Sequence, residues 1–242
     1  MSRFYIPHNS IRKDRIHIRG REAHHVRDVM RLNIGDEIVV FDGTGYEYVG
    51  TIEQIGKNDI VAKINKKIKR EISNFRLALA QAIPKSNKMD LIVEKATELG
   101  VERIIPIVTG RTIVKIDETK MASKINRWKK LAIEASKQSG RVTVPEINEI
   151  KSFEDSLSYT KYYELAVIPC LHEGIVKLKD VLKSNGVKSA ILFIGPEGDF
   201  TEDEINIAKS KGVKPVSLGR EVLRSETAAI SALSVLNYEL RW

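Results

Sequence analysis

The chain has one cysteine, Cys170, among 242 residues, which excludes an internal disulfide and any zinc site built from cysteines. A chain with no disulfide to lose fits a reducing cytoplasm. No apolar run approaches the roughly 20 residues that span a bilayer. The opening stretch, MSRFYIPHNSIRKDRIHIRG, lacks the apolar core of an export signal. A cytoplasmic protein with no membrane partner is therefore expected. The G-x-G-x-x-G fingerprint is missing, as is a Walker lysine loop, so the usual pockets for dinucleotides and nucleoside triphosphates are not expected. His24 and His25 are adjacent but have no further ligand at metal-binding spacing. No metal is expected, and RNA contact or plain surface placement accounts for the pair.

What is present begins with charge. The formal net charge is +8 and the pI is near 9.4, which suits a polyanion such as nucleic acid, although many soluble proteins are mildly basic without binding one. Residues 1–72 hold 14 Lys/Arg against 10 Asp/Glu, and the other 170 residues hold 26 against 22, so net positive charge per residue is about twice as high at the front. Arg19, Arg21, Arg27 and Arg31, with Lys66, Lys67 and Arg70, are the candidates for phosphate contacts there. A solvated basic face is the plain alternative.

The texture of the chain changes near residue 72. Before it, EIVVFDGTGYEYVGTIEQI reads as two strands around a glycine-bearing turn, DIVAKINKKIKR alternates like a half-buried strand, and REAHHVRDVMRLNIGDEI reads as a short helix. A compact β-barrel over residues 1–72 is expected. After it, FRLALAQAI, RIIPIV, LAVIPC and AILFIG read as strands. SNKMDLIVEKATELGV, KINRWKKLAIEASKQSG, IVKLKDVLKSNG and TEDEINIAKSKG read as the helices between them. Such alternation predicts an α/β domain over 73–242 with a mainly parallel sheet covered on both faces.

In a parallel sheet, ligands bind beyond the carboxyl ends of the strands. LFIGPEGDFTEDEI places Gly195, Pro196, Glu197 and Gly198 at such an end, and SLGREVLRSETAAI supplies a second at Leu218 and Gly219. Thr201 with Glu204 has the spacing of a capping box, so the acids at 202–204 are assigned to a helix start rather than to chemistry.

Four blocks of the sequence carry a resemblance: KSNKMDLIVEKATELGV, RWKKLAIEASKQSGRVTVPEI, LFIGPEGDFTEDEI and SLGREVLRSETAAI. Together they resemble the RsmE family, ribosomal RNA small subunit methyltransferase E, which belongs to the SPOUT class. HHVRDVMRLNIGDEIVVFDGTG at the front is similar to that family's PUA-like RNA-binding domain. Asp199 stands where the family often has glycine, and Ser225 where it often has threonine. The resemblance implies a C-terminal SPOUT α/β trefoil-knot domain behind a smaller PUA-like β-barrel, and a homodimer packed through the knotted domains. It implies methylation of N3 of a uridine in 16S rRNA of the small ribosomal subunit, with S-adenosyl-L-methionine as cofactor. A protein of this fold that binds RNA without turnover, or methylates another RNA position, are the rival readings. The cofactor residues carried over are Gly195, Pro196, Glu197, Gly198, Leu218, Gly219, Leu223 and Thr227, with Leu171 for the adenine end or as a plain core leucine. His172 is near the same strand end and reads equally as a loop residue.

Uracil N3 becomes nucleophilic only as its proton leaves, so such a site needs a proton path and a positive group for the charge growing on the flanking carbonyls. Arg224 is assigned the positive group, since a guanidinium donates through a planar fork and cannot act as a base. Glu226 or Glu197 is left to accept the proton or to hold Arg224, and Glu226 also suits a helix N-terminus. Methylation at carbon would call for a cysteine adduct, whereas Cys170 reads as a buried small hydrophobe, which favours nitrogen.

Overall fold

The structure, a computed structural model, describes residues 3–113, 118–171, 175–183 and 186–241. The chain divides into two compact units: Met1–Ile72 with Ser136–Val144, and Ser73–Ala135 with Pro145–Trp242.

The first unit is a six-stranded sheet in the order β1-β4-β5-β6-β3-β2. Its strands are β1 Arg3–Tyr5, β2 Ile11–Arg12, β3 Arg15–Arg19, β4 Glu37–Phe41, β5 Tyr46–Ile55 and β6 Asp59–Lys69, with the short helix α1 Gly20–His24 after β3. All neighbours pair antiparallel except β1 with β4. The long β5–β6 ladder shifts register at Val49/Gly50 and Ile52/Gln54, and irregularities of that kind bend strands, so the sheet curls. It wraps one core of Phe4, Ile16, Ile18, Val26, Ile38, Val40 and Tyr48. The turn between β4 and β5 hangs on Asp42. Its buried carboxylate accepts from the Thr44 amide and hydroxyl (both 2.8 Å) and from the Tyr48 hydroxyl (3.0 Å).

The second unit is an all-parallel sheet in the order β10-β8-β7-β13-β11-β14-β12, with β9 also on β8. In chain order the elements are β7 Arg76–Ala82, α2 Lys88–Glu98, β8 Arg103–Val108, α3 Glu118–Gln138, β9 Glu146–Ile147, β10 Lys151–Ser152, α4 Phe153–Ser156, β11 Leu165–Pro169, β12 Val176–Lys177, α5 Leu178–Val181, β13 Ser189–Ile194, α6 Glu202–Ser210, β14 Lys214–Ser217 and α7 Ser225–Arg241. Every residue of β13 is buried, as covering both faces of a parallel strand demands. Ala78, Ala80, Ile191 and Phe193 share a core with Phe153, Phe200, Ile205 and Ala208. On the other face α7 packs on α2 and β13. Burial of each such Leu or Ile is worth about 1.5–3 kcal/mol.

Helix α2 ends at a glycine with φ +86°, Gly100, and α6 starts in a complete capping box, with Thr201 Oγ1 accepting from the Glu204 amide and Glu204 accepting from the Thr201 amide. One expected helix is largely absent. Among the described residues of IVKLKDVLKSNG only Leu178–Val181 is helical, because Val176 and Lys177 instead extend and pair with Val216 and Ser217 as an edge strand.

Candidate active site

Strands β13, β11 and β14 are neighbours, and the loops leaving their carboxyl ends meet. Cys170–Leu171 follows β11, Gly195–Asp199 follows β13, and Leu218–Leu223 follows β14. Between them lies an open crevice walled by Ile194, Pro196, Leu171, Leu218 and Leu223. Glu197, Asp199 and Glu221 also line it, and this acidic lining favours a ligand with cationic groups and hydroxyls and disfavours a phosphate. S-adenosylmethionine, whose sulfonium and amine are cationic and whose ribose carries hydroxyls, fits such a wall.

Buried hydrogen bonds set the loops. The Ser225 hydroxyl donates to the Gly195 carbonyl (2.6 Å) and accepts from the Gln81 side-chain amide (3.0 Å). Gln81 is wholly buried and also donates to the Ala82 carbonyl. Asp199 adopts φ +61° and accepts from the amides of Leu171 and Phe200 (both 2.8 Å), so it ties the first loop to the second. Asp tolerates this left-handed conformation better than most side chains, which explains how it stands where glycine is common. Gly219 has φ +149°, a conformation that favours glycine. A side chain at Gly195 would meet the Phe200 ring at 3.2 Å.

A cation lies beside the second loop. Lys88 Nζ is 3.3 Å from both Glu197 Oε1 and Glu226 Oε2, and Glu197 accepts from the Lys85 amide at 3.1 Å. Partial burial acts to raise the Glu197 pKa, but the backbone amides of Glu197 and Lys85, with the Lys88 ammonium, outweigh it and hold the carboxyl below its ordinary value. Glu226 Oε2 is buried and has the Lys88 charge near it outside hydrogen-bond geometry.

Of the residues expected at the cofactor, Leu171, Gly195, Pro196, Glu197, Leu218, Gly219 and Leu223 line the crevice. Gly198 lies off that lining, its carbonyl accepting from Arg111 at 2.8 Å, and Thr227 is exposed on the first turn of α7. Arg224 is exposed between two lining residues, Leu223 and Ser225, and its guanidinium has no partner among the described residues. Cys170 is buried at the back of the crevice, 8% exposed. His172 lies outside the described residues. Lys85, Lys88 and Gln81 were missed in the sequence. Their signal was a glutamine inside the apolar run FRLALAQAI and two lysines just past its end, at the same edge of the sheet as GPEG.

The basic residues of the first unit differ in how free they are. Arg70 pairs with Glu47 (2.5 Å), Arg19 with Asp59 (3.1 Å), and Arg27 and His24 both with Asp28. Arg27 first and then His24 pull the Asp28 pKa down to about 2. Lys67 lies over the Tyr46 ring at 4.1 Å, and His25 is half-buried edge-on to Phe4. Arg31 and Lys66 are exposed with no side-chain partner among the described residues, whereas exposed Arg21 is engaged in an interaction. Among the described residues no group of three His, Cys, Asp or Glu side chains is gathered to hold a metal. None of their helices is long and apolar enough to cross a membrane.

A parallel α/β sheet with a crevice at the ends of its middle strands, preceded in the chain by a curled β unit, is the two-part architecture of an RNA methyltransferase with a PUA domain. The RNA methyltransferase domain family matches residues 71–237, and the RNA methyltransferase PUA domain family matches residues 18–65. Ribosomal RNA small subunit methyltransferase E of Bacillus subtilis is 32% identical over 92% of this chain and 89% of its own, and that of Rickettsia conorii is 34% identical over 88% and 84%. A crystal structure of ribosomal RNA small subunit methyltransferase E from Neisseria gonorrhoeae, bound to S-adenosyl methionine, is 29% identical and superposes with a TM-score of 0.89, covering 99% of this chain and 98% of that one. The chain belongs to the ribosomal RNA small subunit methyltransferase E family.

Proposed function

We propose that this protein transfers a methyl group from S-adenosylmethionine to N3 of a uridine in 16S rRNA of the small ribosomal subunit, in the cytoplasm. The observation that carries the reading is the crevice built by three strand-end loops and held by Ser225, Gln81 and Asp199. When bound there, S-adenosylmethionine supplies an electrophilic methyl. Leu171, Leu223 and the backbone of Gly195–Glu197 and Leu218–Gly219 would hold it, with Gly198 and Thr227 acting from outside the lining.

Arg224, whose guanidinium has no partner among the described residues, would face the carbonyl oxygens of the target base and stabilise the negative charge that grows as N3 loses its proton. Glu197 stays ionised because of the Lys85 amide and Lys88. A carboxylate so stabilised is a weak base, so Glu197 serves as an anchor for Lys88, and the role of proton acceptor falls to Glu226.

The reading extends to the architecture. Residues 1–72 form the RNA-binding unit, with Arg19, Arg21, His24, His25, Arg27, Arg31, Lys66, Lys67 and Arg70 toward the phosphates. Residues 73–242 form the methyltransferase. The chain leaves β14, passes the Gly195 loop and returns over β13 as α7, a path that supports the trefoil knot. Val235 and Tyr238 on α7 are 39% and 76% exposed, which supports a homodimer through this unit. Isothermal calorimetry tests the site: S-adenosylmethionine releases heat with one site per chain, and no heat at high cofactor concentration would remove the enzyme reading.

A further inference from the structure

A second concavity lies in the methyltransferase unit, between the start of α2 and the first half of α3, with about 680 Å³ of open space. Helix α3 presents Lys120, Ser123, Lys124, Arg127 and Trp128 to it, spaced so that all five share one helix face. A face turned toward a neighbouring element is ordinarily apolar. Here only Trp128, 3% exposed, closes the floor, and the rest of the face is basic or hydroxylated. Ser86 and Asn87 form the opposite wall.

Most of this polar lining is uncommitted. Arg127 is held by Asp90, with Nε 2.9 Å from Oδ2. Lys120 and Lys124 have no partner among the described residues, although Lys124 is half-buried. The Asn87 side chain makes no cap bond to α2, and the Ser86 and Ser123 hydroxyls are also without partners among the described residues. Ser86 is held at φ +59°, a conformation that serine rarely adopts and that shapes this wall. Two free ammonium groups with amide and hydroxyl donors around a hollow match a phosphate diester, which offers only acceptors. The hollow also adjoins the crevice: Asn87 and Met89, which line it, flank Lys88, the residue 3.3 Å from Glu197.

We infer that this hollow seats a backbone phosphate of the substrate RNA near the target uridine, with Lys120 and Lys124 as its cations, and so positions the base at the crevice. The inference rests on the RNA methyltransferase reading. It adds a second grip on the RNA, inside the catalytic unit and separate from the basic face of the first unit.

The test uses the full chain and small ribosomal subunits from cells lacking the modification. The Lys120→Ala/Lys124→Ala variant is compared with wild type for S-adenosylmethionine affinity, steady-state methylation and equilibrium binding to subunits across a salt series. The expected result is a KM about tenfold higher, kcat and cofactor affinity within about twofold, and a plot of log affinity against log salt shallower by about one unit. Lys124→Arg in the Lys120 wild-type background behaves as wild type. Lys209→Ala/Lys211→Ala, two exposed lysines on or just after α6, makes the same charge change and leaves KM and slope alone. KM and slope unchanged in the first variant would overturn the inference, as would equal changes in the α6 control. Loss of methylation by the wild type itself would instead fail the enzyme reading, and the subunit-binding series would still decide whether the hollow grips RNA.

Discussion

Arg224, like Arg220, is an exposed cation flanked on both sides in the chain by residues of the crevice, and no described residue neutralises it. Arg224→Ala is expected to lower kcat by orders of magnitude while S-adenosylmethionine affinity stays within a few-fold, read by single-turnover methylation and calorimetry; a wild-type rate would remove Arg224 from the chemistry. Ser225 acts differently, since its hydroxyl joins Gln81 to the Gly195 carbonyl. Ser225→Ala leaves a buried amide without its acceptor, so it is expected to cost about 1–3 kcal/mol in denaturant unfolding and to weaken cofactor binding, with Ser225→Thr close to wild type. Glu197 sets a pH signature. A depressed carboxyl pKa contributes stability above its unfolded value, 4.5, and that contribution fades as pH falls through the lower folded value. A carboxyl-carbon NMR titration should therefore place Glu197 below 4.5, and Lys88→Met should move it upward; a midpoint at or above 4.5 in the wild type would contradict the Lys88 clamp. At this scale the sequence was partly legible. GPEG and LGREVLRSETA stand out because glycine and proline punctuate strand ends. Lys88 and Gln81 do not, because their value comes from partners 109 and 144 residues away that only the fold brings near.

Helix α6 shows how an element carries the site without touching it. Its capping box fixes the helix start directly after the Gly195–Asp199 loop, and Glu204 reaches back to the Gly110 amide at 2.8 Å. Thr201→Ala removes one cap and should cost about 1 kcal/mol, seen as a lower melting temperature, while Glu204→Ala removes the cap and the tie to Gly110 together and should cost more. Equal effects of the two would mean the Gly110 tie contributes nothing. The regular elements were readable from periodicity: continuous apolar runs for strands buried on both faces, 3.6-residue spacing for α2, and a glycine at its end. Short elements were not. Val176–Lys177 became an edge strand because β14 offered a free edge, and the helical turns at Phe153–Tyr162 depend on a Ser152 cap and on Phe153 filling the core against Phe193 and Phe200. Pairing and packing partners decided both, and a local window does not contain them.

For the whole molecule, charge and apolar surface set the partners. The net charge of +8, with Arg31 and Lys66 unpaired on the first unit, should make subunit binding weaken steeply with salt through counterion release, by about tenfold or more between roughly 0.05 and 0.2 M. A flat response in a filter-binding series would remove the basic face as an RNA grip. The exposed apolar side of α7 should make the protein sediment as a dimer at micromolar concentration. The most direct measurement is nucleoside mass spectrometry of 16S rRNA after purified protein, S-adenosylmethionine and unmodified small subunits are incubated together. The expected product is a single new N3-methyluridine per 16S chain, made by the wild type and missing with Arg224→Ala. A methyl group found on a ribose, on a pyrimidine carbon or nowhere would contradict the assignment.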